Sequence, residues 1–290
     1  CDPLPHRSKM KIFKQIAPLK SRIKELKLSG KSIGLVPTMG ALHRAHLALI
    51  EASKSQNEIT IATIFVNPTQ FNNASDLSGY PRTPVRDIEL LEEVQCDVLS
   101  SPETNEIYPI ASTIKFDFGA LDKVMEGNFR PGHFSGVALV VAKLFNIVQP
   151  DNAYFGQKDW QQFAIICQLV DQLNFDVRLH NVPTLREADG LALSSRNLRL
   201  SADQRPYASA FYNALISARA GLLKGESVTN VKHVVAELIR KQPGVELEYF
   251  EVADRKNLNL VENVEAANRT ILCIAGYVGS VRLIDNLFLE

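Results

Sequence analysis

The alternation of short apolar segments with amphipathic segments is the feature of this chain that most restricts its fold. Strands are predicted at 32–37, 59–66, 97–100 and 153–155. Helices are predicted at 12–28, 42–55, 84–95, 134–148 and 160–173. Strands that alternate with helices in this way need right-handed crossovers, and they build a parallel sheet covered by helices on both faces. The sequence therefore predicts a doubly wound, Rossmann-like α/β domain.

The pattern changes after residue 178. Two long helices are predicted at 202–224 and 228–240, followed by strands at 245–252, 270–277 and 281–287. We therefore expect a Rossmann-like N-terminal domain at 10–183 and a smaller α+β C-terminal domain at 184–290. Residues 1–9 show no apolar period, so they are interpreted as a tag or a disordered tail.

The overall composition excludes several classes of protein. Of 290 residues, 46% are hydrophobic and 22% charged, as in an ordinary globular protein. Lys plus Arg and Asp plus Glu both number 32, a balance that argues against a dedicated nucleic-acid binder. No apolar run is long enough to predict a membrane span. Cys1, Cys96, Cys167 and Cys273 form no CxxC pair, so reduced and mostly buried thiols in a cytoplasmic protein are expected.

Two histidines follow the first predicted strand and a glycine turn. The run Gly-Leu-Val-Pro-Thr-Met-Gly-Ala-Leu-His-Arg-Ala-His at 34–46 places His43 and His46 at the start of a helix, three residues apart and on one face. Free backbone N–H groups and partial positive charge at a helix start favour phosphate binding. The spacing lacks a third ligand for zinc, so no metal site is predicted. A purely structural role for the pair remains the alternative.

Polar side chains also follow two later strands. Asn67 and Gln70 come after the strand at 59–66, where amides can orient hydroxyls and carboxylates. Lys158, Asp159 and Gln162 come after the strand at 153–155, where a lysine can reach phosphate oxygens. Turn formation at Asn67 and helix capping at Asp159 are equally compatible with these residues.

Two loops complete the candidate residues. The polar segment 186–197 contains Ser194, Ser195 and Arg196, which suit a mobile phosphate clamp, although an inter-domain linker is the plainer interpretation. The glycine-rich segment 127–136 either lines a pocket or only connects two elements.

Taken together, these motifs resemble the pantothenate synthetase (pantoate–β-alanine ligase) family of the nucleotidyltransferase superfamily. The resemblance covers the chain from about residue 10 to its end and depends on several motifs in the same order. These are PTMGALH at 37–43, FVNPTQF at 65–71, YPRT at 80–83, GHF at 132–134, KLFNIVQPD at 143–151, GQKD at 156–159 and DGLALSSRN at 189–197.

The resemblance implies an ATP-dependent enzyme that condenses pantoate with β-alanine through a pantoyl-adenylate, releasing pyrophosphate and AMP. It implies catalytic roles for His43, His46, Lys158 and Arg196, with His46 as the proton donor. It implies pantoate binding by Gln70 and Gln162, and β-alanine binding by Gln70. The implied ATP site comprises Met39, Gly40, Ala41, Leu42, His43, Arg44, Ala45, His46, Gly156, Gln157, Lys158, Asp159, Leu185, Leu193, Ser194, Ser195 and Arg196.

Further expectations follow from the same resemblance. Mg²⁺ would accompany ATP, the enzyme would be a cytoplasmic homodimer, and the C-terminal domain would act as a lid. Ala45 stands where the family usually has glycine, and Leu185 where it often has valine. A related nucleotidyltransferase that stops after nucleotidyl transfer and a non-catalytic nucleotide sensor are the main alternatives. A tRNA-charging fragment is disfavoured by the zero net charge.

Overall fold

The computed structural model describes residues 9–290, which form two compact units. The first unit comprises 9–115, 136–155 and 169–182, and the second comprises 116–135, 156–168 and 183–290. Of the expected N-terminal tail at 1–9, residues 1–8 lie outside the described part of the chain. None of the helices within 9–290 is both long and apolar enough to cross a membrane.

The two units are not continuous in sequence, in contrast to the expected domains 10–183 and 184–290. The change at 182/183 is present, but 116–135 and 156–168 belong to the second unit. The reason is long-range polar bonding. Glu126 pairs with Arg282, and the carbonyls of Gln157 and Lys158 accept hydrogen bonds from Asn286. Partners so far apart in the chain leave no local pattern in the sequence.

The first unit is built on a six-stranded sheet. Its strands are β1 (Lys11–Phe13), β2 (Ile33–Thr38), β3 (Ile59–Ile64), β4 (Val98–Ser100), β5 (Asn152–Gly156) and β6 (Arg178–Val182). The order in the sheet is β1-β4-β3-β2-β5-β6, and the pairs β1–β4, β4–β3, β3–β2 and β2–β5 are parallel. The predicted doubly wound parallel sheet is therefore confirmed.

Helices follow the strands along the chain. They are α1 (Ile16–Leu28), α2 (Arg44–Gln56), α3 (Ala74–Ser78), α4 (Pro84–Glu93), α5 (Thr104–Ile107), α6 (Met125–Phe129), α7 (His133–Val148) and α8 (Trp160–Leu173). In β2, successive side chains point to opposite faces of the sheet, yet Ile33, Leu35 and Val36 are all fully buried. Both faces at the centre of the sheet are therefore covered.

The second unit contains a three-stranded antiparallel sheet. Its elements are α9 (Ala210–Leu223), α10 (Val228–Arg240), β7 (Val245–Asp254), β8 (Thr270–Val278) and β9 (Val281–Phe288), and the strand order is β7-β8-β9. Phe211, Leu215 and Val235 from the helices form a buried core with Leu272 and Ile274 of β8. The predicted smaller α+β unit is therefore confirmed.

The properties of proline and the shortness of two strands explain where the predicted and observed elements differ. The helix predicted at 202–224 begins only at Ala210, because Pro206 lies in a separate 3₁₀ turn, Arg205–Tyr207, and cannot donate a helical hydrogen bond. The short strands β1 and β6 were not predicted. Three- and five-residue edge strands carry too few apolar positions to show a period.

Candidate active site

The segment that links β2 to α2 is held by a buried carboxylate from α4. The backbone N–H groups of Ala41 and Leu42 donate to the Asp87 carboxylate at 3.0 and 2.8 Å, and Asp87 is only 1% exposed. The N–H of Gly40 donates to Oγ1 of Thr38 at 3.2 Å. Gly40 has a φ of 81°, a left-handed conformation that favours glycine. These bonds fix the path of the chain into α2.

The backbone N–H groups just before α2 are engaged within the unit. Those of Gly40, Ala41, Leu42 and His43 each donate to a side chain. The sequence could not show this, because Asp87 lies far along the chain from the amides that it binds. The expected phosphate-binding N–H groups are those of the helix start itself, at Arg44 and beyond, and that expectation stays a prediction. The side chains of this segment, rather than the amides of 40–43, remain to contact a ligand.

His43 and His46 lie together at the start of α2. His43 is the N-cap residue and His46 the third helical residue, in the arrangement of a capping box, and their ring centroids are 4.1 Å apart. The backbone N–H of His43 donates to Nδ1 of His46 at 3.3 Å. Because Nδ1 accepts this bond, the proton of the neutral His46 ring is assigned to Nε2. The pair therefore has a structural role, and Nε2 of His46 is a hydrogen-bond donor.

Gln70 is fixed by neighbouring polar side chains after β3. Asn67 donates from Nδ2 to Oε1 of Gln70 and to the carbonyl of Gly136, both at 3.1 Å. The hydroxyl of Tyr108 donates to Oδ1 of Asn67 at 2.9 Å. Nε2 of Gln70 lies 3.1 Å from Sδ of Met39. The structure thus brings together Met39 and Gln70, two residues predicted for different substrates.

Close packing of the α7 backbone also supports residues 67–70. A Cβ atom on Gly136 would lie 2.2 Å from the carbonyl oxygen of Thr69, so only glycine allows α7 to approach residues 67–70 this closely. The carbonyl of Gly136 is then within reach of Asn67. The helix backbone therefore sets the orientation of Asn67 and, through it, that of Gln70.

A polar cleft in the second unit collects four of the other predicted side chains. Lys158, Asp159, Gln162 and Arg196 all line it. The cleft is also lined by Glu126, Arg130, His133 and Tyr249. Arg130 and His133 lie in the segment 127–136, for which the sequence favoured neither a pocket wall nor a connecting loop. Glu126 and Tyr249 were not predicted as site residues.

The cleft is lined by three cations, Arg130, Lys158 and Arg196, and by three carboxylates, Glu126, Asp159 and Asp285. Glu126 and Asp285 are paired with Arg282 and Arg186, and the cations of the lining can contact an anionic ligand.

One wall of the cleft contains a buried ionic cluster. Arg282 donates to both oxygens of Glu126 at 2.9 and 2.6 Å and also pairs with Glu248, while the hydroxyl of Tyr249 donates to Glu126 at 3.0 Å. Burial raises the pKa of Glu126, but the hydrogen bonds and charges of Arg282 and Arg130 outweigh burial, so the net pKa lies below its ordinary value. Glu126 therefore remains a carboxylate at neutral pH.

The neighbouring glutamine, Gln161, has a structural role. Its Nε2 donates to the carbonyls of Leu121 and Val124 at 2.8 and 2.9 Å, and its Oε1 accepts from the N–H of Glu126 at 3.0 Å. Gln161 thus holds the segment that carries Glu126. Gln162, the residue selected from the sequence, lines the cleft.

The segment 185–199 forms a closed turn rather than an extended linker. The N–H of Leu193 donates to the carbonyl of Leu185 at 3.0 Å, and Arg186 and Ala192 form an antiparallel bridge. A 3₁₀ turn, Ser195–Arg199, follows, and the Ser194 hydroxyl accepts from the N–H of Arg196 at 3.3 Å. Leu185 and Leu193, predicted from separate positions, are therefore hydrogen-bonded neighbours.

Several residues of the site were missed in the sequence. They are Asp87, Tyr108, Glu126, Arg282, Asp285 and Asn286, all charged or polar and mostly buried. A local signal is present in β9, where Arg282, Asp285 and Asn286 interrupt a run of apolar residues. Buried charged residues are rare unless paired, so this interruption could have identified them.

A doubly wound parallel sheet with polar side chains after the carboxyl ends of its strands is typical of nucleotide-binding α/β enzymes. The model of the pantoate-β-alanine ligase family matches residues 11–288. The chain belongs to this family. The predicted family, fold class and activity, ATP-dependent ligation of pantoate and β-alanine, are thereby confirmed.

Similar proteins support the assignment over nearly the whole chain. The chain is 45% identical over 281 residues to pantothenate synthetase of Porphyromonas gingivalis, covering 97% of this chain and 100% of the relative. It is similar to the crystal structure of pantothenate synthetase from Thermus thermophilus, with a TM-score of 0.91, 40% identity and coverage of 97% and 100%. A pantoate-β-alanine ligase from Francisella tularensis, complexed with β,γ-ATP and β-alanine, gives a TM-score of 0.80 at 35% identity, covering 97% of this chain and 98% of that one.

Proposed function

We propose that the predicted residues carry out pantothenate formation in two steps. In the first step, the pantoate carboxylate attacks the α-phosphorus of ATP, the bond to the β-phosphate oxygen breaks, and pyrophosphate leaves. In the second, the β-alanine amine attacks the acyl carbon of the adenylate and AMP leaves. The adenylate is the activated species, so no side chain needs to form a covalent bond with substrate. Positioning and charge stabilisation then account for catalysis.

The observation that carries this proposal is the grouping of Lys158, Gln162 and Arg196 in one cleft of the second unit. Lys158 and Arg196 supply positive charge for phosphate oxygens, and Arg can hold two oxygens at once. The side chain of Lys158 is 16% exposed, so its charge acts where water screens it only partly. Both residues stabilise the charge that builds on the leaving pyrophosphate.

His46 would donate a hydrogen bond from Nε2 to a phosphate oxygen in the first step. The bond from the His43 N–H to Nδ1 of His46 supports this role, because it directs the ring and assigns the donor. His43 contributes through that backbone bond and through its own ring beside His46. Met39 to His46, Gly156 to Asp159, Leu185 and Leu193 to Arg196 would together bind ATP.

Gln70 and Gln162 would bind pantoate, with Gln70 also near β-alanine. A neutral amide can donate to a carboxylate and accept from a hydroxyl. Because the amide carries no positive charge, it does not neutralise the carboxylate, which therefore stays nucleophilic. Asn67 holds Oε1 of Gln70, so the Nε2 donor of Gln70 has a fixed direction. The Francisella ligase that was crystallised with β,γ-ATP and β-alanine supports the same ligands for this chain.

Mg²⁺ would accompany ATP rather than occupy a site made by the protein. Within residues 9–290, no three His, Cys, Asp or Glu side chains are grouped to hold a metal ion. Asp159 is the one carboxylate among the proposed ATP-binding residues. This donor set suits an ion that is held mainly by phosphate oxygens and water, with Asp159 nearby. When bound, Mg²⁺ would neutralise charge on the phosphates.

We also propose that the protein acts as a cytoplasmic homodimer and that the 193–196 turn closes over bound ATP. Light scattering in solution tests the first point: a mass about twice the chain mass of 32.2 kDa is expected. A single-chain mass at micromolar concentration would contradict it.

The decisive test of the reaction is product release with and without β-alanine. ATP with pantoate alone should give pyrophosphate equal to the enzyme present and little free AMP, and added β-alanine should give repeated turnover to AMP and pantothenate. A related nucleotidyltransferase would release pyrophosphate without forming pantothenate. A nucleotide sensor would release neither product.

A further inference from the structure

Asp285 and Asn286 occupy an unusual position near the end of β9. Both are buried, with 6% and 3% exposure, in a strand whose other residues are apolar apart from Arg282. Neither belongs to a motif that the sequence singled out. Their side chains bond to two separate segments of the second unit, and both segments contain proposed ATP-binding residues.

Asn286 fixes the backbone at Lys158. Its Nδ2 group donates to the carbonyl of Gln157 at 2.9 Å and to the carbonyl of Lys158 at 2.8 Å. These two carbonyls flank the Cα of Lys158, and the residue lies in a 3₁₀ turn of only three residues, Gln157–Asp159. So short a turn has little internal hydrogen bonding, so the direction of the Lys158 side chain depends on Asn286.

Asp285 fixes the turn that leads to Arg196. Its carboxylate accepts two hydrogen bonds from the Arg186 guanidinium, at 2.5 and 2.9 Å. Arg186 also donates to the carbonyls of Gly190 and Asn286 at 3.1 and 3.2 Å, and it stacks on the Tyr212 ring at 4.1 Å. A half-buried guanidinium with this many partners is rigid, so it defines where residues 186–190 lie.

We infer that Asp285 and Asn286 are positioning residues for adenylate formation, which together hold the Lys158 turn and the 186–196 turn at a fixed separation. This inference rests on the proposed role of Lys158 and Arg196 at the phosphates. The side chain of Asn286 holds the Lys158 turn and the side chain of Asp285 holds Arg186, so each residue positions one of the two segments. Displacements of about 1 Å can lower a rate about 100-fold when catalysis depends on placement.

The test is a double-variant cycle on single-turnover pyrophosphate release, with ATP and pantoate supplied. Asn286→Ala should slow release roughly 10-fold to 100-fold. In Lys158→Ala, Asn286→Ala should cause little further loss, because Asn286 acts through Lys158. A residue that matters only for folding would reduce both backgrounds by the same factor. Asn230→Ala, an exposed position on α10, serves as the matched control and should release pyrophosphate at the wild-type rate.

A second variant keeps the volume of the side chain. Asn286→Asp places a carboxylate against two carbonyl oxygens and removes both donors, so its rate should be low under mildly alkaline conditions. The rate should recover partly as pH falls, because a protonated carboxyl can donate one hydrogen bond. This recovery, measured relative to wild type at each pH, would not arise from a general loss of stability.

The outcomes separate this inference from the proposed site. If Lys158→Ala releases pyrophosphate at the wild-type rate, the proposed role of Lys158 fails and the inference fails with it. If Lys158→Ala is slow but both Asn286 variants are normal, only the inference is overturned. Full additivity of Asn286→Ala and Lys158→Ala overturns it in the same way.

Discussion

The backbone N–H of His43 donates to Nδ1 of His46 across 3.3 Å, so the two nitrogens of the His46 ring have different tasks. Nδ1 accepts the hydrogen bond that stabilises the start of α2. Nε2 carries the proton and is the nitrogen proposed to act on substrate. A variant that preserves one nitrogen and not the other can therefore separate the structural role from the chemical one.

We predict that His46→Asn retains the helix start but loses adenylation. The Asn carbonyl oxygen can replace Nδ1 as the acceptor, whereas no donor remains at the position of Nε2. Pyrophosphate release should fall about 100-fold, as it does when one transition-state donor is removed. His46→Gln, whose amide nitrogen reaches further, should restore part of the rate. Wild-type release by His46→Asn would show that the histidine is purely structural.

Gln70→Ala should weaken pantoate binding and leave ATP binding intact. The lost amide hydrogen bond corresponds to about a tenfold rise in the KM for pantoate. Gln70→Glu, similar in size, should be more damaging, because its charge repels the pantoate carboxylate. Isothermal titration with ATP and with pantoate separates the two affinities. Loss of ATP affinity with normal pantoate affinity would contradict the assignment.

Arg196→Ala should slow adenylation and allow the adenylate to hydrolyse. If the 193–196 turn shields the mixed anhydride from water, its loss should increase the release of AMP in the absence of β-alanine. Arg199→Ala is the matched control, since Arg199 lies in the same 3₁₀ turn but is exposed. Equal AMP leakage from wild type, Arg196→Ala and Arg199→Ala would refute the shielding role.

Glu126 should stabilise the fold only when it is ionised. Its pKa in the folded protein is lowered from 4.5, because Arg282 and Arg130 outweigh the effect of burial, so its stabilisation is complete above pH 4.5 and is lost as pH falls through the folded value. Glu126→Gln should lower the free energy of unfolding at neutral pH by about 3 kcal/mol. Urea unfolding should show this difference shrinking below pH 4.5. A difference that is constant with pH would exclude the ionic contribution.

The buried thiols should resist alkylation in the folded protein. Burial raises the pKa of Cys96 to about 11 and raises that of Cys273 still more strongly, so neither forms thiolate near neutral pH. Cys167 is only half-buried and should react faster than both. Iodoacetamide labelling followed by peptide mass spectrometry measures each site, with urea-unfolded protein as the control. Rapid native labelling of Cys273 would be inconsistent with its burial in β8.

The sequence determined much of this protein by itself. Apolar runs and their periods were enough for the central strands and for α8 and α10, whose predicted bounds match those observed. The spacing of His43 and His46 was enough to place both at a helix start. These features depend on residues close together in the chain, so a local pattern records them.

Only the tertiary structure decided how the site is supported. Asp87 binds the amides of Ala41 and Leu42, and Asn286 binds the carbonyls on either side of the Lys158 Cα. The assignment of 116–135 to the second unit depends in the same way on partners far along the chain. Hydrogen bonds satisfy buried polar groups wherever folding brings a partner, at any sequence separation. No local spacing records that choice, so these contacts had to be read from the folded chain.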